Sequence, residues 1–409
     1  MPSTLNREIS PPPRLSKRRK TSETVSPCSK QDDETTPMPN AEPTLAAIEA
    51  GRAKIEDHLT YFKEHLSKSA RQTEDSVPRI SIEEWADLYH RNEHSHGNHF
   101  VIHQHNHPIS GVHYDLRLQF SASSSISFAV PKGLPGNPNS KSLGRMAIET
   151  RVHNLWNHLI ESASPKTGSL LIWDTGTYSV LPRKKTANRP PSPQTTDDGN
   201  DSSDSEPDTA AIRPSKRSDA KHENEKLIEA FQTRYVRLRL HGTRLPKNYT
   251  VTLRLPSAND FAKRRPPARR KSRQESHQMQ AQPPPSTDSE PDDIHPTRQE
   301  REESGDLDTD SEEDAQTRLN NAYPGSTNSI GSVHQRQWFM LLDRASSGFV
   351  QEGQTGTWAS REGEGFEAFY VRGRDVERSV VTGRLGREVE CDEGVEGFVG
   401  RGGWAGIER

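Results

Sequence analysis

Apolar and polar residues alternate through the middle of this chain, and the alternation falls away on either side. Period-two runs predict strands at Phe100–Gln104, Val112–Phe120, Ser127–Val130, Arg145–Glu149, Leu170–Asp174 and Thr177–Leu181. Further runs at Tyr235–His241 and Tyr249–Leu255 flank a turn at Pro246-Lys247-Asn248, and Gln337–Leu342 and Phe366–Val371 read the same way. A helical period predicts one helix from Thr44 to Ser69, with Leu45, Ile48, Ile55, Leu59, Phe62 and Leu66 on one face. A second, shorter helix covers Ser81–His90, with Ser81 placed ahead of Glu83-Glu84-Trp85 as an N-cap. Many short strands with few helices give a mainly β fold, a compact β-barrel carrying a few short helices.

Composition restricts how much of the chain takes part. Of 409 residues only 29% are hydrophobic and 30 are proline, and the mean hydropathy is −0.98. Such a chain cannot bury enough surface everywhere to offset the entropy of ordering it. The reading is a disordered tail with a basic cluster at 1–43, a helical lead-in at 44–98 and a barrel core at 99–183. An acidic disordered insert follows at 184–226, then a barrel continuation at 227–257 and a second insert at 258–333. Barrel completion at 334–382 and a Gly-rich tail at 383–409 end the chain. Inserts of this length must leave and re-enter at hairpin tips.

The net charge of −3 is segregated into blocks. Two basic clusters, Ser16-Lys17-Arg18-Arg19-Lys20 and Lys263-Arg264-Arg265 with Arg269-Arg270-Lys271, have the spacing of nuclear-localisation signals. The two cysteines, Cys28 and Cys391, lie at opposite ends. They build neither a disulfide framework nor a cysteine zinc site, which fits a reducing compartment. No apolar run approaches the ~20 residues needed to span a bilayer. The expectation is a soluble, monomeric intracellular protein with a nuclear address.

The chemistry lies between Phe100 and Phe120. Along Val112–Phe120, alternation puts His113, Asp115 and Arg117 on one face and Tyr114, Leu116 and Leu118 on the other. The second set is core. The first is an imidazole, a carboxylate and a guanidinium in a row. His103, His105 and His107 share one parity on the preceding strand, so one of them can join His113 and Asp115. Two imidazoles and a carboxylate suit Mn²⁺, Fe²⁺ or Zn²⁺.

Four ordered blocks carry a family resemblance. They are Phe100-Val101-Ile102 with His105, His113-Tyr114-Asp115-Leu116-Arg117-Leu118, Phe128-Ala129-Val130-Pro131-Lys132-Gly133, and Ile172-Trp173-Asp174 with Gly176-Thr177-Tyr178. Together they resemble the 3′-phosphoesterase domain of bacterial DNA ligase D, over residues 99–182 and more loosely beyond. The resemblance implies a β-barrel holding one divalent metal, typically Mn²⁺, and acting on 3′-phosphate and 3′-ribonucleotide ends. It implies His105, His113 and Asp115 as metal ligands. Counting forward from Phe100 selects His105, whereas counting back from His113 selects His107. His105 is preferred because the Phe-Val-Ile strand anchors it and the turn at His107-Pro108 absorbs a two-residue insertion. Arg117, Lys132 and Arg145 match basic residues around the scissile phosphate, and His153 matches a phosphate-contacting histidine. Arg151, Val152 and Asn157 depart from the family pattern around His153.

The function expected is a Mn²⁺-dependent 3′-phosphoesterase acting on DNA or RNA ends in strand-break repair. The chain shows no ligase adenylation motif, so joining falls to a separate ligase or repair factor. The alternatives are an end-binding scaffold that has lost catalysis and a His-rich metalloenzyme of cupin type.

Overall fold

Eight antiparallel strands close on themselves in a computed structural model that describes residues 45, 48, 53, 55–183, 221–260, 316–353, 356–361, 363–395 and 398–407. All of these belong to the unit Pro43–Arg409. In chain order the strands are β1 (His99–His107), β2 (Gly111–Gln119), β3 (Ser124–Val130), β4 (Gly144–Glu149), β5 (His153–Asn154), β6 (Ser162–Ser164), β7 (Gly168–Val180), β8 (Tyr235–Gly242), β9 (Thr250–Arg254), β10 (Gln337–Leu342), β11 (Phe349–Glu352) and β12 (Thr357–Ser360). The barrel runs β1-β2-β3-β4-β10-β9-β8-β7 and closes through β7 against β1. Closure leaves the long strands no open edge. Two short strands, β5 and β6, attach to β3 and β7, and β11 and β12 form a separate hairpin. Among the described residues no helix is long and apolar enough to cross a membrane.

Alternation sorts each wall into an inner and an outer face. The barrel is filled by the even-numbered residues of β1 and β2, among them Phe100, Ile102, Tyr114, Leu116 and Leu118, which meet Phe128, Trp338 and Met340. The odd-numbered residues face outwards. Near Val101 and Ile172 that outer face is covered by helices α1 (His58–Ser69) and α2 (Ile82–His90), through Phe62, Leu66 and Trp85. Ser81 caps α2 as expected, in a reciprocal capping box with Glu84.

Several elements differ from the sequence reading. The helix expected over 44–69 does not run unbroken: Asp57 has an extended backbone, and its side chain accepts from Thr60 N, which starts α1 afresh. The two strands expected at Leu170–Asp174 and Thr177–Leu181 are one strand, β7. Its register with β1 steps from Asp174 opposite Ile102 to Ile172 opposite His103, so the bulge passes over Trp173. Phe366–Val371 forms no strand; Phe366 and Phe369 instead pack 5.9 and 5.7 Å from the Tyr249 ring. Helix α3 (Glu223–Gln232) begins inside the stretch read as an insert and stacks Phe231 on Trp338 with ring centroids 5.1 Å apart. The Gly-rich C-terminal stretch contains helix α4 (Gly386–Asp392). Residues 184–220 connect β7 to α3 and residues 261–315 lie between β9 and β10, so both long connections join neighbouring antiparallel strands. Both basic clusters, Cys28 and most of the two inserts lie outside the described residues.

Behind the outer wall sits a buried imidazole pair. His99 Nδ1 and His158 Nδ1 are 2.6 Å apart, one donating to the other, which requires an unprotonated acceptor ring. Burial pushes His99 down to about 3. Burial, with His99 and Arg117 nearby, holds His158 well below its ordinary value. The unfolded chain therefore takes up two protons near pH ~6.5 that the folded chain refuses. Their contribution is intact above that value and is lost as pH falls towards the folded values. Through this pair alone, moving from pH ~7 to ~5.5 is expected to cost roughly 2–3 kcal/mol, a lower bound on the loss of stability measured by urea unfolding at both pH values. A urea midpoint that stays level across this range would show that the pair is not buried neutral.

Candidate functional site

Strand register brings the site together. On β1 and β2, His105 lies opposite His113, His103 opposite Asp115, and Val101 opposite Arg117. Residues directly opposite share a face, so the imidazoles and the carboxylate converge on the outer wall. Potential ligand atoms of His105, His113 and Asp115 all lie within 4.8 Å of one another. His105 Nδ1 is 3.6 Å from Asp115 Oδ2, and His113 Nε2 is 3.5 Å from Asp115 Oδ1. The three side chains are 15, 12 and 9% exposed.

Each imidazole is oriented by the backbone. His105 Nε2 donates to Thr167 O at 2.8 Å, and His113 Nδ1 donates to Gly111 O at 3.0 Å. With those nitrogens carrying the protons, the lone pairs of the other two point at the carboxylate. Carbonyl partners of this kind fix the tautomer of metal-binding histidines. Thr167 reaches His105 because the next residue is glycine. Gly168 has φ +76°, and a Cβ there would stand 1.8 Å from Asn106 O, so only glycine lets β7 enter this close to β1.

The donor set fits a divalent cation. Ligand atoms about 2.1 Å from a shared ion stand roughly 3.0–3.4 Å apart; the two imidazole–carboxylate separations, each to a different oxygen, are 3.6 and 3.5 Å, and the whole set lies within 4.8 Å. Asp115 Oδ1 is buried and has no hydrogen-bond partner among the described residues. Two imidazole lone pairs facing a buried carboxylate are a costly arrangement unless something positive lies between them. Burial raises the pKa of Asp115, but His113, His105 and Arg117 outweigh it and hold the carboxyl well below the usual range.

The other candidates divide. Arg117 Nη2 is 3.6 Å from Asp115 Oδ2, and its Nη1 donates to Asn157 O at 3.3 Å. Lys132, exposed on the turn after β3, lines a cavity shared with His113. His153 lies opposite Ser125 at the end of β3. Its ring stays neutral, because burial and the charge of Arg117 lower its pKa more than Asp115 raises it. His153 Nδ1, Ser125 Oγ and Ser127 Oγ are buried without hydrogen-bond partners among the described residues.

Arg145 does not join this cluster. It lies opposite Met340, a core residue, and so points towards the barrel interior. Its guanidinium donates to the carbonyls of Ser142 and Gly144. His107 also stands aside, since its Nδ1 accepts from Ile109 N and Ser110 N at 3.2 and 3.1 Å and shapes the β1–β2 turn.

His103, one of the three histidines that share a parity on β1, takes a different place from His105. It is buried opposite Asp115, with Nε2 donating to Ile160 O at 3.2 Å. Nothing in the Gly-rich C-terminal stretch announced Arg401 and Trp404, which line the cavity beside His113.

Residues 103–253 match the model of a family described as the DNA ligase D 3′-phosphoesterase domain. No curated protein matches the chain. The matched residues include every site candidate named from sequence, whereas β10 and Arg401–Trp404 lie beyond them. Over residues 103–253 this chain is a relative of the DNA ligase D 3′-phosphoesterase domain.

Proposed function

We propose that this chain is a divalent-metal-dependent phosphoesterase that removes 3′-phosphates, and 3′-ribonucleotides, from nucleic-acid ends in strand-break repair. The observation that carries this reading is the convergence of His105, His113 and Asp115 within the matched domain. These three would hold the metal, Mn²⁺ being the ion the family resemblance implies. When bound, that ion would supply Lewis-acid polarisation of a phosphoryl oxygen.

The chain's own residues do the rest. Arg117, beside Asp115, presents a guanidinium suited to two phosphate oxygens. Lys132 adds a point charge at the cavity mouth. His153, held neutral by its surroundings, suits orienting a water or a phosphate oxygen by hydrogen bonding rather than acting as a cationic clamp. Arg145 faces the barrel, so it supports the wall and leaves the phosphate to Arg117 and Lys132.

A DNA or RNA end, a separate ligase or repair factor and a monomeric state complete the proposal. A nuclear address rests on two basic clusters that lie outside the described residues. The position of Arg145 favours one alternative, an end-binding module whose catalysis is lost because its phosphate clamp is reduced.

The experiment is a labelled primer–template bearing a 3′-phosphate, incubated with wild type and His113→Ala in Mn²⁺ or EDTA. Conversion to 3′-hydroxyl by wild type with metal alone is the expected result. Binding without conversion would select the end-binding module.

A further inference from the structure

Residues 398–407 return to the mouth of the site. Trp404 anchors them, donating from Nε1 to Pro131 O at 2.7 Å while its ring centroid lies 6.2 Å from that of Tyr114. Beside it, Lys132 Nζ donates to Ala405 O at 3.3 Å. The Arg401 stem passes 3.5 Å from where a Cβ on Gly111 would stand. Gly111 is the residue whose carbonyl orients His113. A cavity of about 400 Å³ results, with His113, Lys132, Met146, Ile148, Arg401 and Trp404 among its lining residues.

Arg401 is exposed and makes no hydrogen bond or ion pair with another described residue. It lines the cavity that holds His113, which brings its charge to the wall of the site. A terminal phosphomonoester carries about two negative charges, which a divalent ion and Arg117 already balance. Lys132 serves that same group, so Arg401 places surplus positive charge on the wall of a cavity within the usual size range for one small ligand. That distribution matches an anion continuing outwards, with further charge beyond the reacting group. A nucleic-acid strand has one phosphate per nucleotide; a small phosphomonoester has none to spare.

We propose that Arg401 grips a backbone phosphate of the strand whose 3′ end lies at the His105–His113–Asp115 cluster. The C-terminal segment, outside the matched family region, thereby selects strand ends over small phosphomonoesters. The inference rests on the function proposed above in one respect, that the cluster receives a nucleic-acid end.

The test is binding of a fluorescein-labelled single strand ending in a 3′-hydroxyl, across a salt series, by the full chain as wild type, Arg401→Ala and Arg401→Lys. Turnover of a 3′-phosphorylated strand and of p-nitrophenyl phosphate with Mn²⁺ is measured alongside. One phosphate contact contributes about 0.7 to the slope of log K against log salt on a single strand. Arg401→Ala is expected to lower the slope by that amount and weaken binding several-fold, with p-nitrophenyl phosphate turnover unchanged. Arg401→Lys is expected to keep the slope. A wild-type slope and affinity in Arg401→Ala would overturn the proposal, as would a wild type that binds no strand. Arg401-dependent binding without phosphate release would defeat the catalytic reading and leave Arg401 standing.

Discussion

Asp115→Asn is expected to lower Mn²⁺ affinity by at least about a hundredfold and to take turnover of a 3′-phosphorylated strand down with it. The amide fills the same volume but brings no charge. Loss of groups that merely orient metal ligands costs about 10–100-fold, and Asp115 would itself be a ligand. In this site it is also the central one, since its two oxygens face His105 and His113 separately, at 3.6 and 3.5 Å. His107→Asn is the matched control. Asn can accept from Ile109 N and Ser110 N as His107 does, so Mn²⁺ affinity is expected to stay within a few-fold of wild type. Titration calorimetry with Mn²⁺ on the three proteins checks both statements. Wild-type affinity in Asp115→Asn would remove the carboxylate from the ligand set. A loss in His107→Asn as large as that in Asp115→Asn would move the site one rung towards the turn.

The difference between His105 and His107 shows what was legible in the sequence. A strand has one free choice, its parity, and the apolar residues Tyr114, Leu116 and Leu118 settle it for β2. Once they are inside the barrel, His113, Asp115 and Arg117 must be outside. The anchored strand Phe100-Val101-Ile102 does the same for β1, and antiparallel register then sets His105 beside His113.

Arg145 shows where parity stops helping. Along Arg145-Met146-Ala147-Ile148 both faces contain apolar residues, so alternation does not say which is inner. Pairing decides it: Ile148 lies opposite Ala129 on the outer face, which turns Ala147 and Arg145 inwards against Trp338 and Met340. That pairing involves β10, nearly 200 residues downstream by the numbering, and no local pattern contains it. The C-terminal segment is harder still. It is held at the site by the Trp404 indole and Lys132–Ala405 hydrogen bonds and a few close glycine passages, and glycine-rich sequence has no periodicity to read.

Long-range ties of a second kind hold the wall behind the cluster, and Glu161 is the centre of one. Glu161→Ala is expected to destabilise the fold by about 3–5 kcal/mol, the range for removing one partner of a buried ion pair. Glu161 is fully buried and meets Arg384 Nη2 at 3.0 Å. Its oxygens also accept from Thr382 Oγ1 at 2.6 Å, from Ile172 N at 3.2 Å and from Ser379 Oγ. Alanine leaves a buried guanidinium with only the partly exposed Asp392 to balance it. Replacing both members of a buried pair by apolar residues is often nearly neutral. Here the double variant Glu161→Ala/Arg384→Met is expected to recover only part of the loss. Three donors that depended on the carboxylate remain buried without it, at about 1 kcal/mol or more apiece. Urea unfolding of the two variants and wild type measures both effects. Full recovery in the double variant would mean that the ion pair alone accounts for the loss and that the other three bonds are replaceable. Partial recovery would mean that Glu161 works as a junction. It ties Ile172, the residue opposite His103 on β1, to the segment Ser379–Arg384, and so keeps rigid the rung on which Asp115 sits.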